Sequence, residues 1–414
     1  MKKVALLFPG QGSQYVGMGK ELYDNFAVVR NLFEEASDAI GIDIKKLCME
    51  ENIDELTKTE NSQPAILTVS YAAYKIFQQE IGLIPYYGAG HSLGEYTALA
   101  CSGAIAFQDA IKISRMRGKF MQQSSALGEG IMAAVNNIDK SVVQEECRKI
   151  SFDNNIVVIS GYNSTGQTTI SGNKNAVEQV VEVLKSFGAE TVYLKVSAPF
   201  HSPLMNQAAD MLREELKKYE FRKTEWPVIS NVNGQPYGAA DTYIENLVLQ
   251  MTSPVNWLGT INYLWDNGVT KAIELGPKSV LKNLMKKNEN LIETFSYDVE
   301  GDKLKIQSEF CVKENRLRLV SKCLAVVVCT KNNNWDNDEY EKGVLEPYKE
   351  IKKMKEILEQ EGQEPDIGQM REAVNMLLSV FKTKGTSVEE QKERFIEIFN
   401  ETGTREYFGD IEIF

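Results

Sequence analysis

A short apolar stretch that runs into a serine between two glycines limits the folds open to this chain most strongly. Residues 86–90 predict a short strand, the pentapeptide GHSLG occupies residues 90–94, and residues 93–101 predict the helix that follows. A strand, a tight turn and a helix in that order leave the side chain of Ser92 exposed at a bend that small neighbours allow. This unit is typical of an α/β fold.

Alternating strands and helices extend the same architecture over the first 300 residues. Residues 3–8 predict a buried strand that ends in a glycine-rich turn, and residues 63–79 carry apolar side chains at helical spacing. Such alternation predicts a mainly parallel sheet covered by helices. Residues 127–198 have the order β-α-β-β-α-β, which predicts a small ferredoxin-like subdomain inserted into the larger domain.

The chain after residue 300 is more highly charged than the part before it. Residues 301–414 carry 18 Lys+Arg and 23 Asp+Glu in 114 positions. Residues 347–361 and 366–382 have helical spacing, so a charged, mostly helical C-terminal extension is predicted over residues 291–414. Its apolar stripes must be buried, and the main body is their expected partner.

Composition excludes several classes of function. The 46 Lys+Arg against 58 Asp+Glu give a net charge of -12, which argues against nucleic acid or an anionic membrane as a partner. The apolar run at residues 4–8 is too short for a signal peptide, and no stretch reaches the length of a membrane span. Six cysteines without a CxxC and only two histidines predict reduced thiols and no metal site. We therefore expect a cytoplasmic protein.

Ser92 is the candidate nucleophile, because GHSLG is the only GxSxG motif in the chain. A serine nucleophile needs a base, and only two histidines are present. The side chain of His91 should leave the turn in another direction, whereas His201 follows the inserted subdomain in a loop stiffened by Pro199 and Pro203. His201 is therefore the predicted base. The alternative is a Gly/Ser turn that only caps a helix, with a merely hydrogen-bonded histidine.

Two further segments are candidates for substrate contacts. The loop at residues 10–14 lies where an α/β fold places a second oxyanion donor, and it is not a phosphate loop because no Gly-Lys-Ser/Thr follows. The basic cluster RMRGK at residues 115–119 contains arginines, which can bind a carboxylate through two parallel hydrogen bonds. The alternative for this cluster is an ordinary charged helix surface.

Together these motifs resemble the malonyl-CoA:acyl carrier protein transacylase family and the related acyltransferases of polyketide synthases. The resemblance runs from Met1 to about residue 290 and rests on several ordered motifs. They are FPGQGSQ (8–14), GHSLGEY (90–96), RG (117–118), NSTG (163–166), FHS (200–202), LVLQMTSPVNW (247–257) and ELGP (274–277). The family fold implies an α/β-hydrolase-like domain over residues 1–126 and 199–290, with the ferredoxin-like subdomain at 127–198 inserted in it.

The resemblance also implies roles for individual residues. Ser92 would be the acyl nucleophile and His201 its base, and the backbone N–H groups of Gln11 and Leu93 would form the oxyanion hole.

Three further roles concern the substrate and the base. Arg117 would bind the free carboxylate of a malonyl group, and the backbone carbonyl of Gln250 would orient His201, which explains the lack of an obvious acidic third member. Phe200, which is bulky, should crowd a 2-methyl branch and so favour malonyl over methylmalonyl.

The implied activity is that of a malonyl-CoA:acyl carrier protein S-malonyltransferase. It would carry a malonyl group from malonyl-CoA to the phosphopantetheine thiol of an acyl carrier protein, with no bound cofactor or metal. The extension departs from short fatty-acid transacylases. It is more like trans-acting acyltransferases of polyketide synthases, whose extensions the segment 323–336 resembles, and synthase modules are then possible partners.

Three alternatives remain at this point. The first is a hydrolase that clears stalled acyl groups from carrier proteins, although a hydrolase of uncharged acyl chains has no use for a buried arginine. The second is a fatty-acid-synthesis transacylase with an unrelated scaffold tail. The third is a non-catalytic scaffold that docks carrier proteins through the tail.

Overall fold

The computed structural model describes residues 3–125, 130–196, 198–238, 242–288, 292–310 and 316–408. It combines parallel and antiparallel β-structure with many helices. The strands are β1 (Lys3–Phe8), β2 (Tyr87–Gly90), β3 (Gly130–Asn136), β4 (Val157–Ser164), β5 (Gln167–Asn173), β6 (Glu190–Tyr193), β7 (Val228–Ile229), β8 (Val269–Glu274) and β9 (Glu293–Ser296).

Nineteen α-helices are present in the described residues. Those before residue 126 are α1 (Lys20–Asn25), α2 (Ala27–Ile40), α3 (Ile44–Met49), α4 (Ile53–Thr57), α5 (Thr59–Glu80), α6 (Leu93–Cys101) and α7 (Phe107–Ser125). The next are α8 (Lys140–Ile150), α9 (Lys174–Ser186), α10 (Asn206–Leu216), α11 (Thr242–Gln250), α12 (Trp257–Asp266), α13 (Val280–Met285) and α14 (Glu300–Phe310). The last are α15 (Arg316–Cys329), α16 (Asn337–Tyr340), α17 (Glu346–Glu361), α18 (Ile367–Lys384) and α19 (Val388–Thr402), with a π-helical turn at Glu341–Leu345.

The larger sheet is parallel, which confirms the α/β prediction. Its order is β7-β2-β1-β8-β9, and every neighbouring pair runs parallel. β1 lies at the centre and is buried from Val4 to Phe8, as a continuous apolar run in a sheet covered on both faces should be. Phe8 pairs with Gly90, so the turns that leave β1 and β2 start side by side at the carboxyl edge. Ligand sites of open α/β sheets lie at this edge.

The smaller sheet is separate and antiparallel. Its strand order is β4-β5-β3-β6. Along the chain, α8 connects β3 to β4 and α9 connects β5 to β6. The buried residues of α8 and α9 recur at helical spacing, so each helix has one apolar face, and that face packs on the smaller sheet. The predicted β-α-β-β-α-β order is thus present, from β3 to β6.

The chain forms two compact units. The first comprises residues 1–76 and 85–305, and the second comprises residues 77–84 and 306–414. In the second unit the two predicted helical segments correspond to α17 and α18, and α15 and α19 add further helices. Its own core includes Phe381, Phe395, Phe399 and Phe408. No helix in the described ranges combines the length and apolar character that a membrane span requires.

Candidate active site

Ser92 lies in a strained turn between β2 and α6. Its backbone has φ 53° and ψ -104°, a conformation that side-chain-bearing residues rarely adopt. The chain passes so closely here that a Cβ atom on Gly90 would lie 1.9 Å from the carbonyl carbon of Gly94. A Cβ atom on Gly94 would lie 1.9 Å from the carbonyl oxygen of Phe8. The two motif glycines are therefore required by contact with neighbouring backbone, which holds Ser92 at the sheet edge.

Asn231 forms hydrogen bonds with both sides of this turn. Its Oδ1 accepts a hydrogen bond from the Ser92 N–H at 2.7 Å, and its Nδ2 donates to the carbonyl oxygen of Gly90 at 2.7 Å. Sequence analysis did not identify Asn231. The available signal was its position just after β7, the strand that neighbours β2 in the sheet. Two good hydrogen bonds to a strained turn offset part of its strain.

Ser92 and His201 form a hydrogen-bonded pair. Ser92 Oγ lies 2.8 Å from Nε2 of His201, and His201 Nδ1 lies 2.8 Å from the backbone carbonyl oxygen of Gln250. A carbonyl can only accept, so Nδ1 carries the proton and Nε2 is left to accept from the serine hydroxyl. The orienting group is a backbone carbonyl, at the position occupied by a carboxylate in a Ser-His-Asp triad.

The His201 ring is held in its neutral form. It is buried, and burial lowers its pKa to about 3, with the positive charge of Arg117 acting in the same direction and the bond to Gln250 opposing. A neutral imidazole is the form that can take a proton from a serine. Nε2 of His201 therefore carries no proton over the neutral pH range and can accept the hydrogen bond of the Ser92 hydroxyl.

We expect the His201 ring to stay neutral at pH 5, where an unperturbed histidine with a pKa of about 6.5 would be protonated. The pKa of His201 is about 3 in the folded protein, so between pH 6.5 and pH 3 the unfolded chain binds more protons than the folded one. The free energy of unfolding should therefore fall as the pH drops from 6.5 towards 3. Nitrogen NMR of the imidazole rings of His91 and His201, assigned with a His201→Gln variant, measures the protonation of His201 directly. A His201 resonance that titrates near pH 6.5 would contradict it.

Arg117 is buried beside Ser92. Its side chain is 1% exposed, and Nη2 donates to Ser92 Oγ at 3.0 Å and to Gln250 Oε1 at 2.9 Å. Nη1 donates to Gln63 Oε1 at 2.9 Å, and the guanidinium carbon lies 5.1 Å from the ring centre of Tyr96. These partners carry no negative charge, and burial lowers the pKa of Arg117. A cation buried in this way is prepared to receive an anion.

Gln250 connects the three predicted groups. Its backbone carbonyl contacts His201, its side-chain Oε1 accepts from Arg117, and its Nε2 donates to the carbonyl oxygen of Ser92 at 3.0 Å. Nε2 also donates to Glu95 Oε2 at 2.6 Å. Sequence analysis named Gln250 only for its backbone. Glu95 lies within the GHSLGEY motif but received no role, and nothing in the local pattern distinguishes Gln63 from other helical polar residues.

The other predicted residues lie around this centre. Gln11 is in the turn after β1, where its Nε2 donates to Thr59 Oγ1 at 3.3 Å. Leu93 is the first residue of α6, and the first N–H groups of a helix have no partner within it. Phe200 is buried directly before His201.

His91 points into a different network, away from Ser92 Oγ. Its Nε2 lies 3.0 Å from Asn163 Oδ1, and its ring packs 5.8 Å from that of Trp257. The structure thus brings Ser92, His201, Arg117 and Gln250 together and leaves His91 apart. Within the described ranges, no group of three or more His, Cys, Asp or Glu side chains could hold a metal ion.

Comparison with known protein families shows the family of this chain. Residues 5–302 match the family model described as the acyl transferase domain, and the chain belongs to this family.

Its relatives are malonyl-CoA:acyl carrier protein transacylases. One from Bacillus subtilis is 40% identical over 395 residues, which cover 94% of this chain and 99% of the relative. Because that alignment spans nearly the whole chain, it includes much of the charged extension.

Solved structures of relatives match about three quarters of the chain. The malonyl-CoA:acyl carrier protein transacylase of Xanthomonas oryzae pv. oryzae has a TM-score of 0.73 and 34% identity, covering 75% of this chain and 99% of that chain. A malonyl-transacylase solved in complex with a type II polyketide synthase acyl carrier protein has a TM-score of 0.71 and 36% identity. It covers 74% of this chain and 99% of that chain.

Proposed function

We propose that this protein is a malonyl-CoA:acyl carrier protein S-malonyltransferase. The observation that carries this proposal is the buried Arg117 guanidinium, which lies 3.0 Å from Ser92 Oγ. A cation beside the nucleophile selects an acyl group that bears its own carboxylate. The relatives from Bacillus subtilis and Xanthomonas oryzae carry the same activity in their names.

The proposed reaction has two transfers through one acyl-serine. His201 Nε2 takes the proton of Ser92 Oγ–H as the oxygen attacks the thioester carbon of malonyl-CoA. The C–S bond breaks, and the CoA thiolate receives that proton from His201. The thiol of the carrier's phosphopantetheine arm then loses its proton to His201 and attacks the malonyl ester. Breaking of the ester C–O bond returns the proton to Ser92.

The negative oxygen that develops in each step needs donors. The N–H of Leu93 at the start of α6 and the N–H of Gln11 after β1 are proposed to supply them, since the two turns start side by side at the sheet edge. Phe200 is proposed to crowd a 2-methyl branch and so to favour malonyl over methylmalonyl. No metal or bound cofactor takes part in this scheme.

The architecture is proposed to be an α/β-hydrolase-like domain with a ferredoxin-like insertion and a helical extension. The small-sheet order β4-β5-β3-β6 fits the split βαβ arrangement. The insertion would then cover residues 127–198. The domain that surrounds it was predicted to cover residues 1–126 and 199–290, and the extension residues 291–414. Because β9 pairs with β8 in the larger sheet, we propose that the surrounding domain includes that strand and that the extension begins after it.

We further propose a polyketide pathway, in which the enzyme acts in trans on carrier proteins of a synthase. The charged extension supports this, because the solved relatives are covered almost completely by about three quarters of this chain. The complex with a type II polyketide synthase carrier protein supports the same class of partner. A hydrolase on this scaffold is less favoured, since release of uncharged acyl chains leaves the buried arginine without a purpose.

Transfer to a carrier protein tests the function. A phosphopantetheinylated acyl carrier protein incubated with the enzyme, malonyl-CoA and acetyl-CoA is expected to gain the mass of a malonyl group, because of these two acyl groups only malonyl has a carboxylate for Arg117. Intact-protein mass spectrometry measures it. A carrier that stays unloaded while CoA is released into solution would indicate a hydrolase.

The extension is expected to be dispensable for chemistry. A chain that ends at Lys305 should still form malonyl-Ser92 at a near-normal rate, because every site residue named above precedes that point. Single-turnover labelling, corrected for the folded fraction, checks this. Loss of labelling in a well-folded truncation would mean that the extension builds part of the site.

A further inference from the structure

Glu95 is a buried acid that follows Ser92 by three residues. It lies in the first turn of α6, and its side chain is 0% exposed. Its Oε2 accepts from Gln250 Nε2 at 2.6 Å and from the Asn231 N–H at 3.2 Å, and its Oε1 accepts from the Tyr237 hydroxyl. Burial raises the pKa of Glu95 to about 7, and these donors oppose that rise. The proposed reaction does not use this acid.

The carboxylate decides how the Gln250 side chain is turned. An amide has a donor end and an acceptor end, and Oε2 of Glu95 is marked as an acceptor by the Asn231 N–H that donates to it. Glu95 therefore draws the NH₂ group of Gln250 to itself. The same NH₂ group also donates to the Ser92 carbonyl oxygen. This leaves Oε1 of Gln250 facing Arg117, to which it is bonded at 2.9 Å.

The position of the Arg117 guanidinium depends on uncharged hydrogen-bond acceptors such as Oε1 of Gln250. Its hydrogen bonds go to oxygens of Gln63, Gln250 and Ser92, and its Nε is buried without a hydrogen-bond partner among the described residues. If the Gln250 amide turned over, its NH₂ group would face the guanidinium and repel it. The Glu95 charge also favours the cation, although burial is the larger influence on the pKa of Arg117 and lowers it.

We propose that Glu95 is a positioning residue for acyl selection: through Gln250 it holds the Arg117 guanidinium where the carboxylate of the acyl group binds. This inference rests on the proposed malonyl transfer. Glu95 does not touch the acyl group, so its effect reaches the reaction only through Gln250 and Arg117. A purely structural acid would affect all acyl groups alike, whereas this one affects those with a carboxylate.

The test is single-turnover acylation of Ser92 in Glu95→Gln with malonyl-CoA and with acetyl-CoA. The malonyl-to-acetyl rate ratio is expected to fall about tenfold, the effect of weakening one hydrogen bond to a charged group. Glu274→Gln is the matched control. Glu274 is equally buried and accepts from the amides of Leu281 and Lys282, away from the Ser92 network, so its ratio should not change. An unchanged ratio in a folded Glu95→Gln protein would overturn the inference.

A double-substitution cycle separates positioning from general destabilisation. In an Arg117→Ala background, Glu95→Gln should not lower the ratio further, because the group it positions is gone. A further fall there would overturn the inference. If Glu95→Gln does not fold, Tyr237→Phe removes one donor to the same carboxylate and should lower the ratio about threefold; no change in that variant would also overturn it. A wild-type protein that forms no malonyl-Ser92 would instead refute the proposed function itself.

Discussion

Ser92→Ala is expected to abolish formation of the malonyl-enzyme. The hydroxyl is the group that forms the ester, and no other nucleophile is named in the site, so the rate of labelling should fall by roughly three orders of magnitude or more. The measurement is brief incubation with malonyl-CoA, proteolysis, and mass spectrometry of the peptide that contains residue 92. Wild type should carry one malonyl group on that peptide.

Ser102→Ala provides the control for this substitution. Ser102 follows the other end of α6, where its Oγ donates to the Leu99 carbonyl oxygen at 3.0 Å, one helix length from Ser92. Labelling in this variant should remain close to wild type after correction for the folded fraction. Should Ser92→Ala still be labelled at the normal rate, the acyl group must be carried by another residue and the proposed mechanism is wrong.

Arg117→Ala is expected to lose malonyl transfer by about two orders of magnitude or more. A bidentate arginine–carboxylate pair in a buried site contributes about 3 kcal/mol, and 1.4 kcal/mol corresponds to tenfold in rate. Transfer from acetyl-CoA should fall much less, because the acetyl group has no carboxylate. The measurement is kcat/KM for both substrates on the same protein preparation, with Arg117→Lys as a variant that keeps the charge but not the two-pronged geometry.

Arg115→Ala is the matched control, since it removes the same group two residues away. Arg115 pairs with Glu60 at 2.8 Å and donates to the Glu60 carbonyl oxygen, outside the Ser92 network. Both substrates should respond alike in that variant. Equal losses for malonyl and acetyl in Arg117→Ala would show that Arg117 only supports the structure, with Gln63 and Gln250 left unpaired by its removal.

Strands, turns and helices were predictable where the information is local. The turn at Ser92 follows from glycines that close backbone contacts require, and the limits of β2 and α6 lie within one residue of the prediction. Helices α17 and α18 also follow from apolar spacing alone. The choice of His201 needed no structure, since the chain has one other histidine and that one adjoins the serine.

The residues that surround these groups could not be found in the same way. Asn231 is 139 positions from Ser92, and Gln250 is 133 positions from Arg117. No periodicity or short motif reports contacts of that range. The Asn231 contact arises because β7 lies beside β2 in the parallel sheet and its turn meets the turn of Ser92 at one edge, and the Gln250 contact arises where the end of α11 meets α7.

The sequence by itself therefore determined the class of fold and predicted the pairing of Ser92 with His201, because chain stiffness, backbone sterics and apolar spacing act between near neighbours. Only the tertiary structure decided how that pair is oriented and what lies next to it. Gln250 illustrates the difference: its backbone was named from a resemblance, but the contacts of its side chain with Arg117 and Glu95 depend on where α11 ends relative to α6 and α7. Buried polar groups must find partners, and in a folded chain these partners come from whichever segments the sheet order brings together.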